Sequence, residues 1–267
     1  MATFFGEVIL PSSRAFFDDL DDSDNDDAEL LDKFKPKLVL NYQEKDLMDH
    51  NYDALIISEG AVAKGFTQNY MISKESKLVA EVNLEKESED NFSDVFILNP
   101  RKVESTKLYL LGNNCLLLQL SENIDLGLAN QLTVLIHPIL NKCQRIITLV
   151  SRHNSDFRCD SVNDLPLAFV RALATSGQAL PPPLKHLEQP NFISNVSASV
   201  IGWCEASNRA GLMLILYSDQ MTLDAFTLAP LSKAFSETGL SKYIINKQPV
   251  LSSTDPLKNL DKSFMYM

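Results

Sequence analysis

The fold of this 267-residue chain is decided by a run of six apolar residues, Leu212-Met213-Leu214-Ile215-Leu216-Tyr217. An uninterrupted apolar run of this length is typical of a strand that is buried on both faces of a sheet. A second run, residues 145–150, is rich in β-branched side chains and predicts another central strand. Helices predicted before, between and after these strands imply crossover connections and parallel pairing.

The segments around these two strands are predicted as helices. Apolar positions between 132 and 143 recur at helical spacing, and Pro138 inside them predicts a kink or break near His137. Residues 166–176 are predicted as a helix, because proline stands in its first turn and a glycine follows its end. Residues 223–237 are predicted to be helical in one or two pieces.

A further helix is predicted to begin at a cap formed by Asn191 and to end at Gly211. Its expected buried face consists of Val196, Val200, Trp203 and Cys204. The proline-containing segment before it, residues 178–191, is predicted to be an extended loop.

The N-terminal half predicts further strands and one helix. A hairpin is expected at Gly112-Asn113-Asn114, so part of the sheet is antiparallel. Residues 59–72 have helical spacing, although Gly60 and Gly65 weaken that prediction. The fold class is therefore α/β, a single domain with a central mixed β-sheet flanked by helices. The predicted strands of this half are 37–42, 53–58, 77–83, 95–98, 107–111 and 115–120.

The two ends of the chain differ from its middle. Nine acidic residues and no basic ones lie between Asp18 and Asp32, so the formal charge of −11 falls to −2 when that run is left out. Such a run buries too little apolar surface to offset its ordering entropy and is predicted to be disordered. We divide the chain into an N-terminal segment, 1–35, an α/β domain, 36–250, and a mobile C-terminal tail, 251–267.

Composition excludes several classes of protein. The nearly neutral domain lacks the basic face that nucleic-acid binding needs. The sequence shows neither a membrane-spanning apolar stretch nor a secretory signal, and its four cysteines contain no CxxC pair. We expect reduced thiols and a cytoplasmic protein that is also able to reside in the nucleus.

The sequence contains none of the common motifs for phosphate binding, hydrolase nucleophiles or metal ligands. Neither GxxxxGK[ST] nor GxGxxG nor GxSxG occurs, and the four histidines have no metal-ligand spacing, so no cofactor and no metal are expected. The best enzymatic alternative is a phosphorylase- or hydrolase-like α/β enzyme that uses Ser151, His153 and Asp219, which follow the two buried strands and would meet at one sheet edge. Polar residues after strands are common, however, and no recognised spacing supports this set.

The last residues of the chain, Met265-Tyr266-Met267, combine an apolar anchor, an aromatic ring and a free carboxylate. Clefts that capture C-terminal carboxylates recognise this combination, and tyrosine often contributes binding energy at interfaces. A frayed terminus is the alternative interpretation of the same residues.

Several short motifs, in this order, identify a family resemblance. The motifs are Ala2-Thr3-Phe4-Phe5-Gly6-Glu7-Val8, an acidic insert, Arg152-His153, Leu165-Pro166, Phe169-Val170-Arg171-Ala172-Leu173, Leu187-Glu188-Gln189-Pro190-Asn191 and Tyr217-Ser218-Asp219. With these the chain resembles the proteasome assembly chaperones, specifically the family of the first subunit of the heterodimeric chaperone. The similarity is strongest over residues 150–219.

This resemblance implies a non-enzymatic protein with a phosphorylase-like layout. It implies pairing with a related second chaperone subunit and binding of the heterodimer to the ring of proteasome α subunits. It further implies that Met265, Tyr266 and Met267 enter a pocket between neighbouring α subunits. The heterodimer interface is expected to be apolar, and the helix holding Trp203 is our candidate for it.

Overall fold

The computed structural model describes residues 37–85, 105–112, 114–122, 124, 126–159 and 165–245. Within these ranges the chain forms eight strands and four helices, together with three short 3-10 turns. In chain order they are β1 Lys37–Tyr42, β2 Tyr52–Glu59, α1 Ala61–Tyr70, β3 Lys77–Glu85, β4 Thr106–Leu111, β5 Cys115–Gln119, α2 Leu126–Lys142, β6 Cys143–His153, β7 Ala168–Ala174, α3 Asn195–Ala206, β8 Gly211–Ser218 and α4 Ala225–Glu237.

All eight strands belong to one mixed sheet with the order β1-β3-β4-β5-β2-β6-β8-β7. Four of them are parallel, because β2 pairs in parallel with both β5 and β6, and β6 pairs in parallel with β8. The remaining pairings are antiparallel, including the β4–β5 hairpin. The predicted single α/β domain with a mixed sheet is therefore confirmed.

Helices cover both faces of the sheet, and β2 shows why. Leu55 and Ile57 point to the face that α2 and α3 cover, whereas Ala54 and Ile56 point to the face that α1 and α4 cover. A strand with apolar side chains on both sides needs a helical layer on each. Among the described residues, no helix has the length and apolarity that a membrane crossing requires.

The two strands that dominated the sequence prediction lie side by side. All eight residues of β8 are buried, and β6 pairs with it in register from Ile146 opposite Gly211 to His153 opposite Ser218. The helix predicted over residues 59–72 is also confirmed as α1, which begins after Gly60 and contains Gly65.

The helix predicted over residues 166–176 is wrong, because this segment forms β7 and pairs antiparallel with β8. Phe169 and Leu173 point to one face of the sheet, whereas Ala168, Val170 and Ala172 point to the other. Five of the seven residues of this edge strand are only partly buried, so its sequence shows no clear alternation of apolar and polar residues and fits helical spacing equally well.

Two predictions about the ends of α3 were also wrong. The helix α3 begins after Ser194 rather than at Asn191, and it ends at Ala206, so that Gly211 starts β8 instead of ending the helix. The helix α2 runs through Pro138 to its end at Lys142, so the helix does not break near His137, and a kink there remains a prediction.

Several predictions lie outside the described residues. These are the strand at 95–98, the apolar N-terminal motif, the acidic run between Asp18 and Asp32, and the tail with Met265, Tyr266 and Met267. The boundaries of the three predicted regions therefore remain predictions.

Candidate functional site

The carboxyl ends of β5, β2, β6 and β8 meet at one edge of the sheet, which we call the carboxyl edge. Residue pairing places Glu59 beside Val150 and His153 beside Ser218 at this edge. In open α/β sheets ligands bind at this position. The sequence correctly predicted that Ser151, His153 and Asp219 lie near one another there.

Ser151 holds the start of α1 in place. Its side chain is buried, and its hydroxyl accepts a hydrogen bond from the Ala63 main-chain N–H at 3.3 Å. The same hydroxyl lies 3.5 Å from the main-chain oxygen of Glu59, to which it donates. Gly60 approaches so closely that a Cβ on it would lie 2.4 Å from the Ser151 Oγ. Ser151 therefore joins β6 to the β2–α1 turn and has the contacts of a structural residue.

His153 uses both of its ring nitrogens in local contacts. Nδ1 is 2.8 Å from the hydroxyl of Ser155, and Nε2 is 2.9 Å from the main-chain oxygen of Asp219. Asp219 thus meets the imidazole through its carbonyl rather than through its carboxylate. These contacts link His153 to neither the Ser151 hydroxyl nor a carboxylate, so the nucleophile, base and orienting acid of the enzymatic alternative are not assembled.

The N-terminus of α3 is occupied by a carboxylate from β2. Glu59 Oε2 accepts a hydrogen bond from the Ser197 main-chain N–H at 3.0 Å, and its Oε1 accepts one from Asn195 Nδ2 at 3.4 Å. Arg152 Nη2 lies 3.6 Å from the same Oε1. Because helix N-termini attract anions, Glu59 fills the position that a phosphate would take in an enzyme of this architecture. Sequence reasoning missed Glu59, whose partner helix is 136 residues away.

A cleft of about 360 Å³ opens beside Arg152 at the same edge, and we call it the edge cleft. The side chain of Asn191 fixes its shape, because its amide oxygen accepts from the Arg158 main-chain N–H at 2.7 Å and its amide nitrogen donates to the Arg158 carbonyl at 2.9 Å. Tyr217 forms the floor, and its ring packs with Phe157 at 4.9 Å between ring centres. The lining includes Arg152, Asp156, Arg158, Asn191, Phe192 and Tyr217.

The described residues offer no metal site, because nowhere among them do three His, Cys, Asp or Glu side chains converge. All four cysteines lie in the described part, where none of them forms a disulfide bond, and three of them are buried. Burial raises the pKa of Cys143 to about 12 and that of Cys204 to about 11, despite the opposing charge of Arg209. Neither thiol is therefore poised as a nucleophile.

The other edge of the sheet, where the parallel strands begin, carries the end of the described chain. The Ile245 main-chain N–H donates to the Tyr70 carbonyl at 2.9 Å, at the last residue of α1. Since α1 follows β2 and runs back across the sheet, this contact lies opposite the carboxyl edge. The 22 residues from 246 to 267, including Met265, Tyr266 and Met267, follow from this point.

Comparison with known proteins assigns the chain to a family. A family model named PAC1 and described as "Proteasome assembly chaperone 4" matches residues 1–264. The chain belongs to this proteasome assembly chaperone family.

Individual relatives agree with the family. The chain is 24% identical to the bovine (Bos taurus) protein named "Proteasome assembly chaperone 1" over 97% of this chain and 95% of the relative. It is 23% identical to the human (Homo sapiens) protein of the same name, again over 97% and 95%. The family description and these names carry different numbers, but all of them state a proteasome assembly chaperone.

Solved structures of two archaeal proteins show a similar fold. Pyrococcus furiosus PbaA, "an archaeal homolog of proteasome-assembly chaperone", has a TM-score of 0.52 at 12% identity and covers 85% of this chain and 90% of its own. Pyrococcus furiosus PbaB, "an archaeal proteasome activator", has a TM-score of 0.51 at 12% identity and covers 85% and 96%. At this identity the likeness extends to the fold alone.

Proposed function

We propose that this protein is a non-enzymatic chaperone of 20S proteasome assembly that works as a heterodimer with a related second subunit. The heterodimer binds the ring of proteasome α subunits in the cytoplasm or the nucleus and promotes its assembly. The observation that carries this proposal is the family match, which spans residues 1–264 and thus nearly the whole chain.

The geometry of the carboxyl edge supports a role without catalysis. Ser151 is used in packing, His153 contacts a main-chain oxygen, and Glu59 fills the helix N-terminus that would otherwise attract a substrate anion. The three polar groups of the enzymatic alternative and its helix N-terminus thus make contacts within the chain itself, which supports a role in binding other proteins.

The tail is the part that we propose to bind the α ring. In the resemblance described above, Met265 supplies an apolar anchor, Tyr266 a ring and a hydroxyl, and Met267 a terminal carboxylate for a cation in the pocket. The family match ends at residue 264, so these three residues are proposed from their own chemistry and from the resemblance. Fully extended, the 22 residues after Ile245 reach about 70–80 Å at about 3.3–3.6 Å per residue.

A truncation tests this assignment. A chain that ends at Phe264 should fold normally and pair with the second subunit, but its heterodimer should lose most of its affinity for purified α rings. Binding is measured by surface plasmon resonance on immobilised rings, and pairing is measured by size-exclusion chromatography. A short tail binds weakly by itself, and two linked tails on one ring reinforce each other through effective concentration.

Two control variants distinguish the contribution of the terminal carboxylate from that of a tail residue outside the tripeptide. Adding one glycine after Met267 keeps every side chain but displaces the carboxylate, so it should weaken ring binding almost as much as the truncation does. Ser263→Ala changes a tail residue outside the tripeptide and should leave binding unchanged. If the truncated heterodimer binds the ring with wild-type affinity, the tail is not the anchor.

A further inference from the structure

We propose that the edge cleft, together with the exposed ring of Phe192, is the surface on which the second chaperone subunit docks. This inference rests on the heterodimer of the proposed function and adds to it a location and a recognition chemistry. The partner is expected to bring an apolar side chain next to a carboxylate.

Phe192 is the first reason for a protein partner. Its side chain is 74% exposed, although it stands beside a preformed cleft. An aromatic side chain buries about 150–250 Å² when it is covered, and such residues act as anchors at interfaces. Leu167, whose main-chain carbonyl accepts a hydrogen bond from Asn154 Nδ2 at 3.0 Å, is a second exposed apolar residue of this region, at 56% exposure.

The rigidity of the cleft is the second reason. The two hydrogen bonds of Asn191 to the Arg158 main chain join the loop after β6 to the loop before α3. Beneath them Phe157 packs on Phe169 with 5.0 Å between ring centres, and both pack on Tyr217. A surface that is already ordered loses little conformational entropy when a partner covers it.

The charged groups of the cleft lining determine which charged group the partner must present to it. The lining holds two guanidinium groups, from Arg152 and Arg158, against the single carboxylate of Asp156. Arg152 already shares its charge with Glu59. Arg158 is exposed and forms no ion pair within the described part of the chain. A partner carboxylate would pair with it in the bidentate geometry that arginine favours.

The start of the tail favours the second subunit over the α ring as the partner of this surface, because the proposed ring anchor leaves the domain at a different edge. The described chain ends at Ile245, which is bonded to the Tyr70 carbonyl at the edge opposite the cleft. The tail proposed to bind the ring therefore starts on the far side of the sheet. The helix holding Trp203, which the sequence suggested for the interface, is a weaker candidate, because His137 and Arg209 already contact the Trp203 ring.

The test titrates purified second subunit against the full-length chain by isothermal titration calorimetry. Phe192→Ser and Arg158→Glu should each weaken the dissociation constant at least about tenfold, as expected for anchor residues at interfaces. The matched controls are Phe226→Ser, a 65% exposed phenylalanine at the start of α4, and Lys233→Glu, a 72% exposed lysine on the same helix. Both controls should stay within about twofold of wild type.

The three possible outcomes lead to different conclusions. The inference is supported if the cleft variants lose affinity, the controls do not, and thermal melts show that all four variants are folded. If the wild-type chain binds the second subunit and the cleft variants bind equally well, the inference is overturned while the proposed heterodimer stands. If the wild-type chain does not bind the second subunit at all, the heterodimer itself is refuted, and the inference fails with it.

Discussion

Replacement by alanine should have opposite effects at two glycines, one just before α1 and one inside it. Gly60 has φ +92°, and a Cβ on it would lie 2.4 Å from the Ser151 Oγ and 2.7 Å from the Ser151 main-chain oxygen. Gly65 lies inside α1, and a Cβ on it would lie 3.7 Å from the Leu223 Cβ, which is ordinary contact. Gly60→Ala should therefore destabilise the protein, and Gly65→Ala should stabilise it.

The size of each effect follows from this geometry. A non-glycine residue at this φ costs about 1–3 kcal/mol, and overpacking costs about 1–3 kcal/mol more. Turning the Ser151 side chain relieves only one of the two clashes, because the other is with the main chain of β6. We expect Gly60→Ala to lower the free energy of unfolding by about 2–6 kcal/mol. Gly65→Ala should raise it by about 0.5–1 kcal/mol.

The assay is urea unfolding followed by fluorescence of Trp203, which is the single tryptophan of the chain, and by far-ultraviolet circular dichroism. For a domain with a stability of about 5–15 kcal/mol, the loss at Gly60 is a large fraction of the total. A Gly60→Ala protein that unfolds within about 0.5 kcal/mol of wild type would refute the reasoning, since that is the range of ordinary surface substitutions. So would a Gly65→Ala protein that is as destabilised as Gly60→Ala.

Three further predictions concern charge and thiol chemistry. Glu59→Gln should lower the free energy of unfolding by about 1 kcal/mol, because the α3 N-terminus loses its anion. A free energy equal to that of wild type, measured by urea unfolding, would contradict this prediction. Burial alone would raise the pKa of Glu188, but its hydrogen bonds and the charges of Arg171 and Lys185 lower it below the usual 4.5. The contacts of the Glu188 carboxylate therefore stabilise the folded state above about pH 4.5, and this stabilisation is lost as the carboxylate is protonated at lower pH. The difference in unfolding free energy between wild type and Arg171→Met should therefore shrink between pH 6 and pH 3, and a difference that stays constant would refute this prediction. Cys159, the one cysteine that is not fully buried, should react with a thiol reagent at pH 8 before Cys143 does. Mass spectrometry measures the order of modification, and the reverse order would refute this prediction.

The sequence predicted the centre of the sheet because β6 and β8 bury side chains on both faces, so that β8 is apolar from Leu212 to Tyr217 and the middle of β6 is rich in β-branched residues. It failed at β7, where Arg171 breaks the apolar run. The Arg171 guanidinium lies over the Phe169 ring at 4.7 Å and pairs with Glu188 at 2.8 Å, so its charge is satisfied inside the fold. Such a partner, 17 residues away, is not visible in a local pattern.

The site was predicted in position but not in chemistry. Parallel pairing of β6 and β8 was enough to place His153 near Asp219. Which atoms meet depends on side-chain direction, and the contact uses the Asp219 carbonyl. In the same way Asn191 was predicted as a helix cap, but its side chain holds the Arg158 main chain, and a carboxylate from β2 sits at the helix start instead. Both outcomes depend on contacts between residues distant in sequence.

The carboxylate of Glu59 at the start of α3 has a consequence for other anions. Any free phosphate, nucleotide or sugar phosphate that sought this helix end would compete with a negative group fixed to the same molecule, whose effective concentration is set by the fold rather than by the cell. The start of α3 is thus closed to small anions by a carboxylate of the chain itself.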